Sequence, residues 1–210
     1  MAVISNATSI IDNGAITAPK GTLNLIATLT ANNSSTLAFV NGSGGVDLTA
    51  YDEFVFKFLS IHPVNDNTSF GMDIDTGANG SYDASKHTTF ERTYKEANGS
   101  GKGFEPTVGF DLTNSLNRQV VYNYGANEDL DTFGGEMHIF NPSSTTYAKN
   151  FYSICTGTDS QNGGANGGYN HTHYMSGYAN TTTAISAIRF YFSSGNIQTG
   201  LIKLYGLGGT

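Results

Sequence analysis

Apolar and polar residues alternate with a period of two along most of this 210-residue chain. Strands that bury one face and wet the other produce that pattern. It is plainest in the segment 184–206. Ile188, Phe190 and Phe192 alternate there with Arg189, Tyr191 and Ser193. The cluster Ser193-Ser194-Gly195-Asn196 comes next, and Ile202 and Leu204 then alternate with Leu201, Lys203 and Tyr205. Gly195 and Asn196 tolerate the positive φ of a tight turn, so the segment predicts a β-hairpin that completes the fold near residue 210.

The same reading predicts strands at Thr22–Thr30, where Leu23, Leu25, Ala27 and Leu29 share a face, and at Thr36–Val40 after an Asn-Ser turn. Tyr51–Ile61 is the strongest, with Phe54, Phe56 and Phe58 in register and Pro63 ending it. Further strands are predicted at Ser69–Asp75, Thr88–Lys95, Glu136–Phe140, Tyr147–Cys155 and Tyr169–Tyr178, with weaker candidates at Thr107–Phe110 and Arg118–Tyr124. Asn141-Pro142-Ser143-Ser144 is a good turn, and Asn98–Gly103 and Gln161–Gly168 read as loops. About ten such strands predict an all-β antiparallel sandwich, jelly-roll-like, over residues 22–210. Residues 1–21 are expected to form an arm or an edge strand.

Composition supports this class. Charged residues are 13%, about half the usual share. Gly (26) supplies turns, and Tyr (12) and Phe (13) supply bulk without any Trp. The net charge of −7 with ten scattered Lys and Arg argues against nucleic acid as a partner. No apolar run reaches the roughly 20 residues that span a bilayer, and no signal-peptide pattern opens the chain, so a soluble protein made in a cytoplasm is expected. Cys155 is the sole cysteine and sits in a strand-like run, which predicts a buried core thiol.

The ordered set Tyr51-Asp52-Glu53-Phe54-Val55-Phe56, Ile61-His62-Pro63-Val64-Asn65-Asp66, Phe140–Thr146, Gly177–Thr182 and Ser194–Gly206 resembles a family of small β-sandwich virion proteins of tailed, especially marine, bacteriophages. The resemblance covers residues 22–206. It implies a structural protein of the virion, made in the bacterial host, and leaves the position open among tail fibre, fibre adaptor and capsid surface; a tail or tail-fibre place is expected. Capsid decoration is the alternative position, and a carbohydrate-binding module for host recognition is the alternative role. It implies self-association, with a homotrimer expected, and neighbours among other tail or capsid proteins. It brings no catalytic residues and no cofactor, so the expected protein is not an enzyme.

Two sets of residues are candidates for binding. His171 and His173 flank Thr172, so a strand places both rings on one face. In a three-fold assembly three such pairs resemble the axial imidazole sites of some phage fibres, with a transition metal on the axis. The ordinary alternative is an exposed polar strand; the nearest acidic residue in sequence is Asp159. Tyr169, Tyr174 and Tyr178 are the candidate glycan-binding aromatics, with packing between sheets as the alternative. Asp73, Asp75 and Asn79 mimic a calcium loop, but Gly77 and Ala78 break its pattern. Glu128, Asp129 and Asp131 read as a solvated acidic loop, and His138 as a structural histidine.

Overall fold

The structure is a computed structural model that describes residues 22–160 and 168–207, and the backbone of three short strands before them. Those three, β1 (Val3–Ser5), β2 (Thr8–Asp12) and β3 (Ala15–Ile16), form an antiparallel ladder of their own and pair with no other strand among those described. The predicted loop at Gln161–Gly168 lies, but for its last residue, outside the described residues.

Thirteen further strands are described. They are β4 (Asn24–Thr30), β5 (Leu37–Val40), β6 (Glu53–Pro63), β7 (Thr68–Thr76), β8 (Lys86–Glu96), β9 (Lys102–Pro106) and β10 (Leu112–Ser115). β11 (Gln119–Gly125), β12 (Phe133–Phe140), β13 (Lys149–Asp159), β14 (Tyr169–Ala179), β15 (Ile185–Phe192) and β16 (Ile197–Leu207) complete the set. They build an all-β antiparallel sandwich. The nine-stranded sheet runs β10-β8-β14-β13-β12-β6-β16-β4, with β9 also on β8, and the four-stranded sheet runs β11-β7-β15-β5.

The path is jelly-roll-like because the chain doubles back on itself. β4 pairs with β16, β5 with β15, β6 with β12, β7 with β11 and β8 with β14. Inward residues of the two sheets meet in one core. Phe190 touches the rings of Phe39, Phe56, Phe58 and Phe70, with centroids 5.2–6.5 Å apart. Phe54, Phe56 and Phe58 share one buried face, as the alternation predicts, and Cys155 is buried.

Four predicted features come out differently. The strands of the closing segment are sequential but not a hairpin: β15 pairs with β7 and β5, while β16 pairs with β6 and β4. The turn at Ser193–Asn196 therefore carries the chain from one sheet to the other. Burying the apolar face of each strand against the opposite sheet favours that crossing. In β4, Leu25 lies opposite Tyr205 and Ala27 opposite Leu204, so Ile26 is an extra residue, a β-bulge. The bulge swings Ile26, Ala27 and Leu29 against the core and leaves Leu23 and Leu25 about half exposed. The Thr107–Phe110 candidate is a single 3-10 turn at Val108–Phe110. β9 and β10, which share the outer edge of β8, are short and weakly patterned and escape the sequence reading.

Candidate functional site

The β14 segment is central to the chemistry. Strand alternation turns Tyr169, His171, His173 and Met175 to one side and Tyr174 and Tyr178 to the other. The first side faces the opposite sheet. His171 is 3% exposed and His173 is 0% exposed, so neither imidazole stands on an exposed strand face or projects toward an outer symmetry axis. The two rings do share a face, with centroids 5.8 Å apart. Among the described residues no group of three or more His, Cys, Asp or Glu is placed to hold a metal ion. The three tyrosines are likewise split by the sheet. Tyr169 points inward, whereas Tyr178 stacks on His87 (5.5 Å) and Tyr174 is partly exposed on the outer face.

Inward residues at one end of the sandwich enclose a cleft of about 300 Å³. Three adjacent strands of the large sheet form its floor. Tyr94 on β8 is opposite His171 on β14, which is opposite Gly157 on β13. In the next row Glu96, Tyr169 and Asp159 align in the same way. The small sheet supplies the roof through Tyr124 on β11, whose ring stacks on His171 at 4.9 Å and 17°. Tyr169 flanks the same imidazole at 5.4 Å.

Tyr124 sits in a local distortion. In β11, Tyr122 is opposite Phe70 and Gly125 is opposite Thr68, so the strand bulges between them. Tyr124 there has φ of 64°. A bulky side chain rarely adopts that region, at a cost of roughly 1–3 kcal/mol.

The polar groups of the cleft are mostly placed by one another. Arg92 donates to Glu105 from Nε (2.9 Å) and Nη2 (2.6 Å), and its guanidinium lies 4.7 Å over Tyr124 and 5.2 Å over Tyr94. The Tyr169 hydroxyl donates to Glu96 at 3.0 Å, and the Ser100 hydroxyl donates to the same carboxylate at 2.6 Å. Ser100 first and Tyr169 second hold the Glu96 carboxyl below its usual range. His171 Nε2 is 3.9 Å from the Asp159 carboxylate, too long for a hydrogen bond. Among the described residues, both ring nitrogens of His171 and both of His173 lack a hydrogen-bond partner, as does the buried Tyr122 hydroxyl. Burial, reinforced by Arg92, lowers His171 to a pKa of about 4; burial, His171 and Arg92 lower His173 to about 3. Both imidazoles are therefore neutral at pH 7.

The remaining predicted candidates are occupied by structural contacts. Asp73 accepts from Arg189 and from the Tyr191 hydroxyl. Asp75 accepts from the Ser186 hydroxyl and the Gly80 and Tyr82 amides; burial opposes ionisation there, but these bonds outweigh it and leave the carboxyl below its usual range. Asn79 accepts from Ser81, so Asp75 and Asn79 serve the turn while Asp73 serves the pairing of β7 with β15. In the acidic loop Asp131 is buried and accepts from the Ser160 amide and hydroxyl, while Asp129 is exposed. His138 stacks on Tyr152 at 4.6 Å between Glu53 and Glu136 on the outer face. Burial pushes the Cys155 thiol up, away from thiolate chemistry.

No local motif marks Arg92, Tyr94, Glu96 or Tyr124 as site residues, and Asp159 stands out in the chain only as the acidic residue nearest the histidine pair. The alternation of Arg92, Tyr94 and Glu96 is visible in the chain, but their meeting with β14, β13 and β11 depends on pairing across long separations. Fold and site together define the class: an open-edged antiparallel β-sandwich with a polar, aromatic-walled cleft at one end. Comparison of the chain with protein-family models, with curated proteins and with solved structures finds no match.

Proposed function

We propose that this protein is a structural component of a tailed-bacteriophage virion, a tail or tail-fibre subunit that self-associates as a homo-oligomer. The observation that carries the self-association is the edge of the large sheet. β4 ends that sheet with its outer ladder unpaired among the described strands, and its sequence NLIATLT has neither charge nor proline. Monomeric proteins blunt such an edge with Lys, Pro or a covering segment. Here the edge instead carries Leu25, 56% exposed, beside Leu23, 47% exposed. An uncharged edge with an apolar flank supports pairing with another copy. The position in a virion rests on the resemblance of residues 22–206, which spans the folded sandwich.

Light scattering on the purified chain tests the assembly, with a mass three times the 22.3 kDa chain mass expected for the trimer. Leu25→Lys is expected to shift it to monomer. A wild-type chain that stays monomeric at all concentrations overturns the assembly. Mass spectrometry of purified particles tests the location. A low copy number that stays with isolated tails supports the tail; a copy number matching the capsid lattice moves the protein to the capsid surface; absence from particles overturns the virion reading.

A further inference from the structure

We propose that the cleft between the sheets is a binding site for a saccharide ring, held by His171 and Glu96 and walled by Tyr94, Tyr124 and Tyr169. This inference stands apart from the virion reading.

The first ground is His171. It is 3% exposed, it lines the cleft, and neither ring nitrogen has a hydrogen-bond partner among the described residues. Buried polar groups are almost always paired, and leaving one unpaired costs about 1–3 kcal/mol. A neutral imidazole offers one donor and one acceptor. A hydroxyl group, itself both donor and acceptor, complements it.

The second ground is Tyr124. The fold keeps an aromatic residue at φ of 64° within a bulge, and its ring lies over His171. Bulges recur beside binding sites because they re-aim a side chain, and backbone outliers concentrate there.

The remaining lining selects the ligand class. Glu96 accepts hydrogen bonds, Arg92 donates them, and the tyrosine rings offer apolar surface between these groups. Vicinal hydroxyls on a ring with C–H faces match that mixture. An anion is disfavoured, because the Glu96 carboxylate faces the space and Glu105 already neutralises Arg92. The volume of about 300 Å³ lies at the lower end for ligand sites and suits a monosaccharide or the terminus of a longer glycan.

The test uses the full chain. Glucose, galactose, mannose, N-acetylglucosamine and N-acetylgalactosamine are titrated separately while the imidazole ¹⁵N resonances are followed. At least one sugar is expected to shift the His171 resonances saturably and leave those of His138, on the outer face, unmoved. Glu96→Gln, which removes a charged acceptor, and Tyr94→Leu, which removes the ring wall, are expected to weaken that binding about tenfold or more. Their thermal midpoints, and the light-scattering mass, are expected to stay at the wild-type values. Tyr174→Ala, on the opposite side of the sheet, is expected to bind as wild type. The proposal is overturned if no sugar moves His171 at millimolar concentrations, if binding survives both cleft variants, or if Tyr174→Ala abolishes it. None of these outcomes alters the oligomer mass, so the failure of this site and the failure of the assembly reading are separable.

Discussion

Arg189 on β15 lies directly opposite Asp73 on β7 and donates to one carboxylate oxygen from both Nε (3.2 Å) and Nη2 (2.9 Å). The Tyr191 hydroxyl donates to the same oxygen at 2.8 Å. The ammonium of Lys86, fully buried, is 3.9 Å from the other oxygen and also donates to the Ala84 carbonyl. Burial lowers the Lys86 pKa, and Asp73 opposes that shift.

Removal of Asp73 leaves a buried cation facing Arg189 without its counter-charge. Breaking one side of a buried pair costs about 3–5 kcal/mol. Asp73→Ala is expected to lose stability on that scale in a denaturant titration. The double variant Asp73→Ala/Lys86→Met is expected to regain much of it, because the stranded charge goes too. A double variant no more stable than Asp73→Ala would show that Lys86 does not depend on Asp73.

The buried imidazoles make stability depend on pH. His173 falls from an ordinary value of 6.5 to about 3, and His171 to about 4. His173 is faced by His171 and Arg92; His171 is faced by Arg92, Asp159 and Glu105. Above pH 6.5 both states carry neutral rings, so these groups add no pH dependence there. Below it the unfolded chain binds protons that the folded chain refuses, so stability falls with falling pH through the window down to about 4 and about 3. Each ring contributes a slope approaching about 1.4 kcal/mol per pH unit. Unfolding free energies between about pH 6 and about pH 5 are expected to fall less steeply in His173→Leu than in wild type. Asp75 and Glu136, whose carboxyls are lowered, lose their contribution further down, below their ordinary values of 3.8 and 4.5. Parallel slopes for the two proteins would mean that His173 is protonated in the folded chain.

Phe190 joins the two sheets. Its ring lies 5.2 Å from Phe56 and 5.3 Å from Phe58 in the large sheet, and 5.9 Å from Phe70 in the small one. Phe190→Ala opens a cavity at this junction and is expected to cost about 3–5 kcal/mol. Phe104, 59% exposed on β9, is the control: Phe104→Ala is expected to change stability by less than about 1 kcal/mol. Comparable losses at the two positions would contradict a core centred on Phe190.

Much of this molecule is legible in the chain. The period of two locates most strands within a few residues and assigns Phe54, Phe56, Phe58, Ile188, Phe190, Phe192, Ile202 and Leu204 to buried faces, because side-chain direction in a strand is local geometry. The same parity separates Tyr169 from Tyr174 and Tyr178: along β14 the odd-numbered positions from Tyr169 to Met175 face inward and the even-numbered ones outward. Bulges break the rule. At Ile26 one extra residue reverses the facing of the rest of the strand, and no local pattern announces it.

The chain by itself determines a β-rich domain, its strand positions and most of its inward faces, since these depend on alternation, turn residues and proline within a few residues of one another. Only the tertiary structure decides which strands are neighbours. The sequential β15 and β16 part into different sheets because each apolar face is best covered by the sheet opposite. His171 and His173, polar in the sequence, are buried because β8 and β11 bring Phe90, Tyr122 and Tyr124 over them. The cleft exists for the same reason: its residues come from four strands, β8, β11, β13 and β14, whose adjacency is set by packing over the whole chain.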